Sequence, residues 1–219
     1  MSPETPPDQP DVHPRLVLAS RSPRRRWLLD QAGLGDGLVV IDPPHDDPPT
    51  PDPDEGQDAG SFTAQTALAK AKSVAGLDRF RETVILAADT VCVGSGGSLL
   101  GKPADRDELL AMLRGFVNGT HEVVSGVALL VISGSGEVSH AESWADAAEV
   151  VWGDLSEAIL EAYADSSLWR GKSGGYNLRE RVEAGWPITV SGDETTVMGL
   201  PMQRLWPKLS ALPLTEAAL

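Results

Sequence analysis

Arg15-Leu16-Val17-Leu18-Ala19-Ser20-Arg21-Ser22-Pro23-Arg24-Arg25-Arg26-Trp27-Leu28-Leu29 is the stretch on which the fold turns. Residues 15–20 are a short apolar run of the kind that forms a buried strand. Ser22 then supplies an N-cap and Pro23 suits the first helical position, where its missing N–H costs nothing. Gly33 closes the helix, because glycine accepts the left-handed conformation that ends one. A buried strand that passes at once into a capped helix predicts an α/β fold.

Outward from that opening, residues 42–58 form a loop dense in proline and aspartate, read as an exposed loop inside one domain rather than a linker. Residues 61–75 predict a helix ended by Gly76. Lys70 and Lys72 lie two positions apart on it, on nearly opposite faces, so only one of them can enter a given site. Residues 83–93, Thr-Val-Ile-Leu-Ala-Ala-Asp-Thr-Val-Cys-Val, predict an apolar strand followed by a Gly/Ser turn at 94–98. Asp105 and Glu108 have capping-box spacing at the head of a helix over 105–114. Two long strands follow, at 121–132 and 137–152, then a helix at 156–165, a loop Trp169-Arg170-Gly171-Lys172-Ser173-Gly174-Gly175-Tyr176, a short strand at 187–190, and a last helix opened by Pro201. Residues 1–14 read as a disordered acidic, proline-rich tail, 15–210 as a single domain, and 211–219 as a C-terminal tail.

The chain of 219 residues is long enough to bury a core without covalent staples. Its one cysteine, Cys92, excludes an internal disulfide and a cysteine metal cluster and suits a reducing cytoplasm. No apolar run reaches membrane-spanning length. A net charge of −14 repels nucleic-acid backbones and anionic membranes, so neither is an expected partner. A small polyanion is different, because a local cluster of cations overrides the global field. The positions of the 18 lysines and arginines therefore carry information.

Ser20, Ser22, Arg24 and Arg25 gather hydroxyls and guanidinium groups at a helix N-terminus, where unpaired N–H groups favour an anion. Arginines at the positive end of a helix are locally unfavourable. That mismatch points to a ligand that supplies negative charge, against the alternative of a solvated basic patch. Asp89 follows five apolar residues, 84–88, inside a strand. A carboxylate there costs free energy unless it is paired, hydrogen-bonded or on a metal. It is a candidate general base or metal ligand, or else a strand-end cap. Lys102 follows the turn, and Lys172 sits in a loop whose Gly174 and Gly175 permit close approach of a ligand. His121, alone at a strand start, reads as structural, and Cys92 as a core thiol.

These pieces fall in a recognisable order: Leu18-Ala19-Ser20-Arg21-Ser22-Pro23-Arg24-Arg25, Ala88-Asp89-Thr90-Val91, Gly101-Lys102-Pro103, Gly119-Thr120-His121-Glu122-Val123 with Ser125-Gly126-Val127, Lys172-Ser173-Gly174-Gly175-Tyr176, and Val197-Met198-Gly199-Leu200-Pro201. In this order they resemble the Maf family, the septum formation protein homologues. The resemblance implies an elongated mixed sheet flanked by helices, like that of inosine triphosphate pyrophosphatases, with two lobes around a central cleft. It implies hydrolysis of a nucleoside triphosphate to the monophosphate and pyrophosphate with a divalent cation, Mg²⁺ or Mn²⁺, and a homodimer. It gives Asp89 as proton acceptor and metal ligand, Ser20, Arg24, Arg25, Lys70 and Lys102 as phosphate holders with Lys172 in addition, and Asp47 as a second metal ligand. Arg24, Thr90 and Arg179 fall at positions that select the base. Asp89-Thr90 and His121 are similar to the branch acting on dTTP and UTP. Arg179, however, stands where that branch has glutamine. Modified nucleotides, a 7-methyl-GTP specificity, and a non-catalytic nucleotide-binding regulator of cell division are the alternatives.

Overall fold

The computed structural model describes residues 15–44, 48, 58–77 and 80–212. Asp47, the tail at 1–14, most of the loop at 42–58 and residues 213–219 lie outside the described residues. The opening stretch forms strand β1 (Arg15–Ala19) and helix α1 (Pro23–Gln31), with Gly33 left-handed beyond its end at φ 79°. Then come β2 (Val39–Ile41), α2 (Ala59–Ala75), β3 (Thr83–Val93) and β4 (Leu99–Leu100). After α3 (Arg106–Phe116) the chain runs through β5 (Thr120–Ile132), β6 (Val138–Trp152) and α4 (Glu157–Ala164). It closes with α5 (Leu178–Glu183), β7 (Ile188–Ser191), α6 (Glu194–Met198) and α7 (Met202–Ser210).

The strands make one mixed sheet in the order β2-β1-β3-β5-β6-β7, with β4 attached to β3. β1 is parallel to both β2 and β3, whereas β5, β6 and β7 continue antiparallel. The parallel part is covered on both faces, which is why β3 reads as an almost unbroken apolar run. On one face α2 packs against Val17, Ile85, Ala87, Ala128 and Leu130. On the other, α1 and α7 cover Leu16, Leu18, Leu86, Val127 and Leu129. A further, aromatic cluster joins α3 and α4 to the far ends of β5 and β6 through Phe116, Trp152, Tyr163, Tyr176 and Trp186. No helix among the described residues is long and apolar enough to cross a membrane.

Helix α2 begins two residues before the expected 61, because Asp58 caps it by accepting from the Ser61 N–H at 2.8 Å. Ser22 occupies the N-cap of α1 but makes no side-chain cap bond; its own N–H donates to Ser20 Oγ at 3.1 Å. Asp105 caps α3 as expected, accepting from the Glu108 N–H at 2.9 Å, and Glu108 reaches back to the N–H of Ala104. β2, β4, α5 and α6 are too short to print a period in the sequence.

Candidate active site

The site follows from the unequal lengths of neighbouring strands. Along one edge β3 pairs with β1 only as far as Ala87, and with β4 only from Cys92 onward. Its other edge is occupied by β5 from end to end. Residues 88–91 are therefore left uncovered on one side, just beyond the carboxyl end of β1. Crevices at the carboxyl ends of parallel strands are where α/β sheets take ligands. A cavity of about 140 Å³ opens at this gap, lined by the β1–α1 turn, Lys70, Asp89, Thr90, Lys102, Gly171 and Ser173.

Alternation along β3 sends Asp89 and Thr90 to opposite faces of the sheet. On the α2 face, Lys70 Nζ lies 2.7 Å from Asp89 Oδ1, with side-chain exposures of 7% and 14%. Lys70 comes from the buried side of α2, while Lys72 points to solvent, as their two-residue spacing requires. On the opposite face Thr90 receives Arg25: Nη2 donates to Thr90 Oγ1 at 3.0 Å, Nη1 to Ser20 Oγ at 3.1 Å and Nε to the Gly199 carbonyl at 3.0 Å. Arg25 is thus fixed as a fork at the mouth of the α1 N-terminus. Arg24 is half-buried beside it, and burial lowers its pKa despite the pull of Glu180.

Among the described residues, five cationic side chains (Arg21, Arg24, Arg25, Lys70 and Lys102) line the cavity together with one carboxylate, Asp89. Such a cleft can neutralise a polyphosphate while holding a single basic oxygen against it. Arg21, which did not figure among the expected binding residues, lines the cavity and pairs with Asp42 at 2.8 Å. Ser173 is a second addition: its hydroxyl donates to the Thr90 carbonyl at 2.7 Å and covers part of the gap. Neither carries a signal in the sequence beyond its place inside a motif.

Two expectations about the glycine-rich loop need correction. Lys172 is not brought to the cavity; its ammonium is held 2.8 Å from Glu180 Oε2 and by the Leu168 carbonyl. Its neighbours Gly171 and Ser173 face the cavity instead. Nor do Gly174 and Gly175 make room for a ligand. A side chain on Gly174 would meet Cys92 Sγ at 2.5 Å, and one on Gly175 would meet Leu109 Cδ1 at 2.1 Å, so the glycines pack the loop onto the core. Both have positive φ, 66° and 76°.

Arg179 lies outside the main cavity. Its guanidinium sits over the Trp27 ring at 4.7 Å and pairs with Glu183 at 2.7 Å. It borders an adjoining groove shared with Arg24, Trp27, Asn177 and Glu180, so Arg24 connects groove and cavity. His121 lines neither. It is buried, stacked on Phe116 at 3.9 Å between ring centroids, with Nε2 2.9 Å from Tyr176 Oη. Burial drops its pKa from 6.5 to about 4, which suits a neutral structural imidazole. Cys92 is likewise inert, its thiol pushed up to about 12 by complete burial.

A mixed sheet with a cation-lined crevice at a gap in its central strand defines an α/β protein built to grip a polyanion. The profile of the family described as "Maf-like protein" matches residues 15–212, and the chain belongs to that family. Among its relatives, a dTTP/UTP pyrophosphatase of Chlorobium phaeovibrioides is 34% identical over 205 residues, covering 91% of this chain and 97% of the relative. Those of Salinibacter ruber and Deinococcus radiodurans are 37% and 36% identical, each spanning 90% of the relative and 90% and 88% of this chain.

Proposed function

We propose that this protein is a nucleoside triphosphate pyrophosphatase, cleaving between the α- and β-phosphates to give a nucleoside monophosphate and pyrophosphate, with dTTP and UTP as substrates and residues 15–210 as the catalytic unit. The observation that carries the reading is the Lys70–Asp89 contact inside a cleft that Arg21, Arg24, Arg25 and Lys102 also line. The relatives' shared name supports the substrate.

Phosphoryl transfer asks for positioning and charge neutralisation more than for covalent chemistry. Ser20, Arg24, Arg25, Lys70 and Lys102, which all line the cavity, grip the phosphates. Lys70 holds Oδ1 of Asp89, leaving the remaining lone pairs of the carboxylate to accept a proton from water. The water oxygen forms a bond to the α-phosphorus, and the bridging bond to the β-phosphate breaks. Its electron pair departs with pyrophosphate, whose charge the arginines and Lys102 stabilise.

No group of three or more potential metal-ligating side chains occurs among the described residues. The donor set nonetheless fits a cation carried in by the substrate, since Mg²⁺ and Mn²⁺ commonly take one carboxylate plus phosphate oxygens and water. Asp89 would hold it. Bound there, the cation would supply electrophilic stabilisation of phosphate oxygens.

The test is pyrophosphate release from a panel containing dTTP, UTP, the other canonical triphosphates and 7-methyl-GTP, with Mg²⁺ or Mn²⁺. Release from dTTP and UTP above the rest supports the proposal; preference for 7-methyl-GTP moves the specificity to the other branch. Tight binding without turnover of any member makes the protein a nucleotide-binding regulator instead.

A further inference from the structure

Arg25 is held by more than its immediate neighbours. Behind Thr90, on the next strand, Ser125 has no solvent exposure and donates its hydroxyl hydrogen to the Thr196 carbonyl at 2.8 Å. A carbonyl only accepts, so that hydrogen is committed. Ser125 Oγ, 2.8 Å from Thr90 Oγ1, can then only accept from Thr90. Thr90 has now used its own hydrogen, and its oxygen accepts from Arg25 Nη2 at 3.0 Å. Every donor in the sequence Arg25, Thr90, Ser125, Thr196 points the same way. The chain also closes on itself in space. Arg25 Nε donates to the carbonyl of Gly199, three residues after Thr196 at the end of α6. A side chain on Gly199 would crowd Arg25 Nε at 3.2 Å and Thr90 Oγ1 at 3.4 Å.

We propose that Ser125 is a positioning residue for substrate binding. By fixing the direction of the Thr90 hydroxyl it makes Thr90 an acceptor for Arg25, and so sets the plane in which that guanidinium meets the triphosphate. Thr90 then offers no proton to the substrate and contributes through Arg25. The proposal rests on the reading of Arg25 as a phosphate holder. Without Ser125 the Thr90 hydroxyl is free to rotate and can turn its hydrogen toward Arg25, replacing an attraction by a repulsion.

The experiment measures binding of α,β-methylene-UTP by calorimetry and turnover of UTP for wild type, Ser125→Ala, Arg25→Ala and the double variant. Ser125→Ala is expected to raise Kd and KM about five- to tenfold while kcat changes less than about twofold, the size of one ordinary hydrogen bond. In the Arg25→Ala background it should add nothing. Thr90→Val cuts the same chain one link nearer and should reproduce the rise in Kd; it stands in if Ser125→Ala does not fold. Wild-type affinity in folded Ser125→Ala or Thr90→Val, or a loss that adds to that of Arg25→Ala, overturns the proposal. Should the wild type bind the analogue yet release no pyrophosphate from UTP, the catalytic reading fails while the affinity comparison still decides the role of Ser125.

Discussion

Asp89 stands directly opposite Gly126 in the β3–β5 ladder, and the absent side chain of Gly126 is what allows Lys70 to reach Asp89. Opposed residues on adjacent strands present their side chains to one face, here the face that α2 covers. A Cβ at position 126 would lie 2.1 Å from the Thr63 carbonyl carbon and 2.3 Å from the Ala64 nitrogen, so α2 rests its backbone on this glycine. Gly126→Ala must push the helix away, and Lys70 with it. The expected outcome is a loss of about 3 kcal/mol in urea unfolding, at the upper end for overpacking because backbone cannot swing aside. A fall of more than about tenfold in kcat/KM should accompany it. Wild-type stability and turnover in this variant would refute the close packing.

Asp89→Asn keeps the size of the side chain and its contact with Lys70 but removes the basic oxygen. Turnover should fall by about a hundredfold or more, the usual weight of a positioned base, while Kd for α,β-methylene-UTP changes far less. Equal losses in affinity and kcat would show that Asp89 serves binding rather than proton transfer.

Lys102 and Lys172 should behave differently. Lys102 lines the cavity, whereas Lys172 is held by Glu180 and Leu168. Lys102→Ala is expected to raise KM about tenfold or more, as loss of a charge-assisted contact does, and Lys172→Ala less than about threefold. Steady-state kinetics with UTP separates them, and the reverse order would mean that the loop moves when substrate binds.

Arg179 offers only donors, whereas glutamine both donates and accepts. A uracil edge presents an N–H beside its carbonyls, which an arginine leaves without an acceptor. Arg179→Gln should therefore raise kcat/KM for UTP relative to the other triphosphates by about fivefold. The surrendered pair with Glu183 is more than half exposed on both sides and adds little to stability. An unchanged preference across the nucleotide panel would remove Arg179 from base recognition.

His121 ties stability to acid. The folded imidazole titrates near 4 and the unfolded one near 6.5, so between these values only the unfolded chain takes up a proton. Stability is full above about pH 6.5 and falls as pH drops toward 4, by about 3 kcal/mol at most from this group. Urea midpoints at pH 7.5, 6 and 4.5 should show that fall, and His121→Gln should flatten the histidine's share of it. Parallel curves for the two proteins would refute the assignment.

Much of this architecture is legible in the sequence where packing and local chemistry agree. β3 falls at 83–93 as read, because a strand buried on both faces prints an apolar run and nothing on either side competes with it. The opposition of Lys70 and Lys72 follows from helical spacing alone. The gap that makes the cleft is not legible, because it depends on where β1 and β4 stop along β3, and strand pairing leaves no mark on either partner. The surroundings of Lys172 are not legible for a similar reason: whether a loop lysine meets a ligand or Glu180 is decided by a neighbour eight positions away on α5. Gly174 and Gly175 are places of close approach, but what approaches is Cys92 and Leu109 rather than a ligand.

The pleat of β3 has an evolutionary corollary. Asp89 and Thr90, the arginine anchor, are consecutive residues sharing one zigzag, so gaining or losing a single residue between Thr83 and Asp89 would trade their addresses, presenting the acid to α6 and the hydroxyl to α2. Substitution can repaint the walls of the cleft, but an insertion of odd length ahead of Asp89 would turn its chemistry inside out.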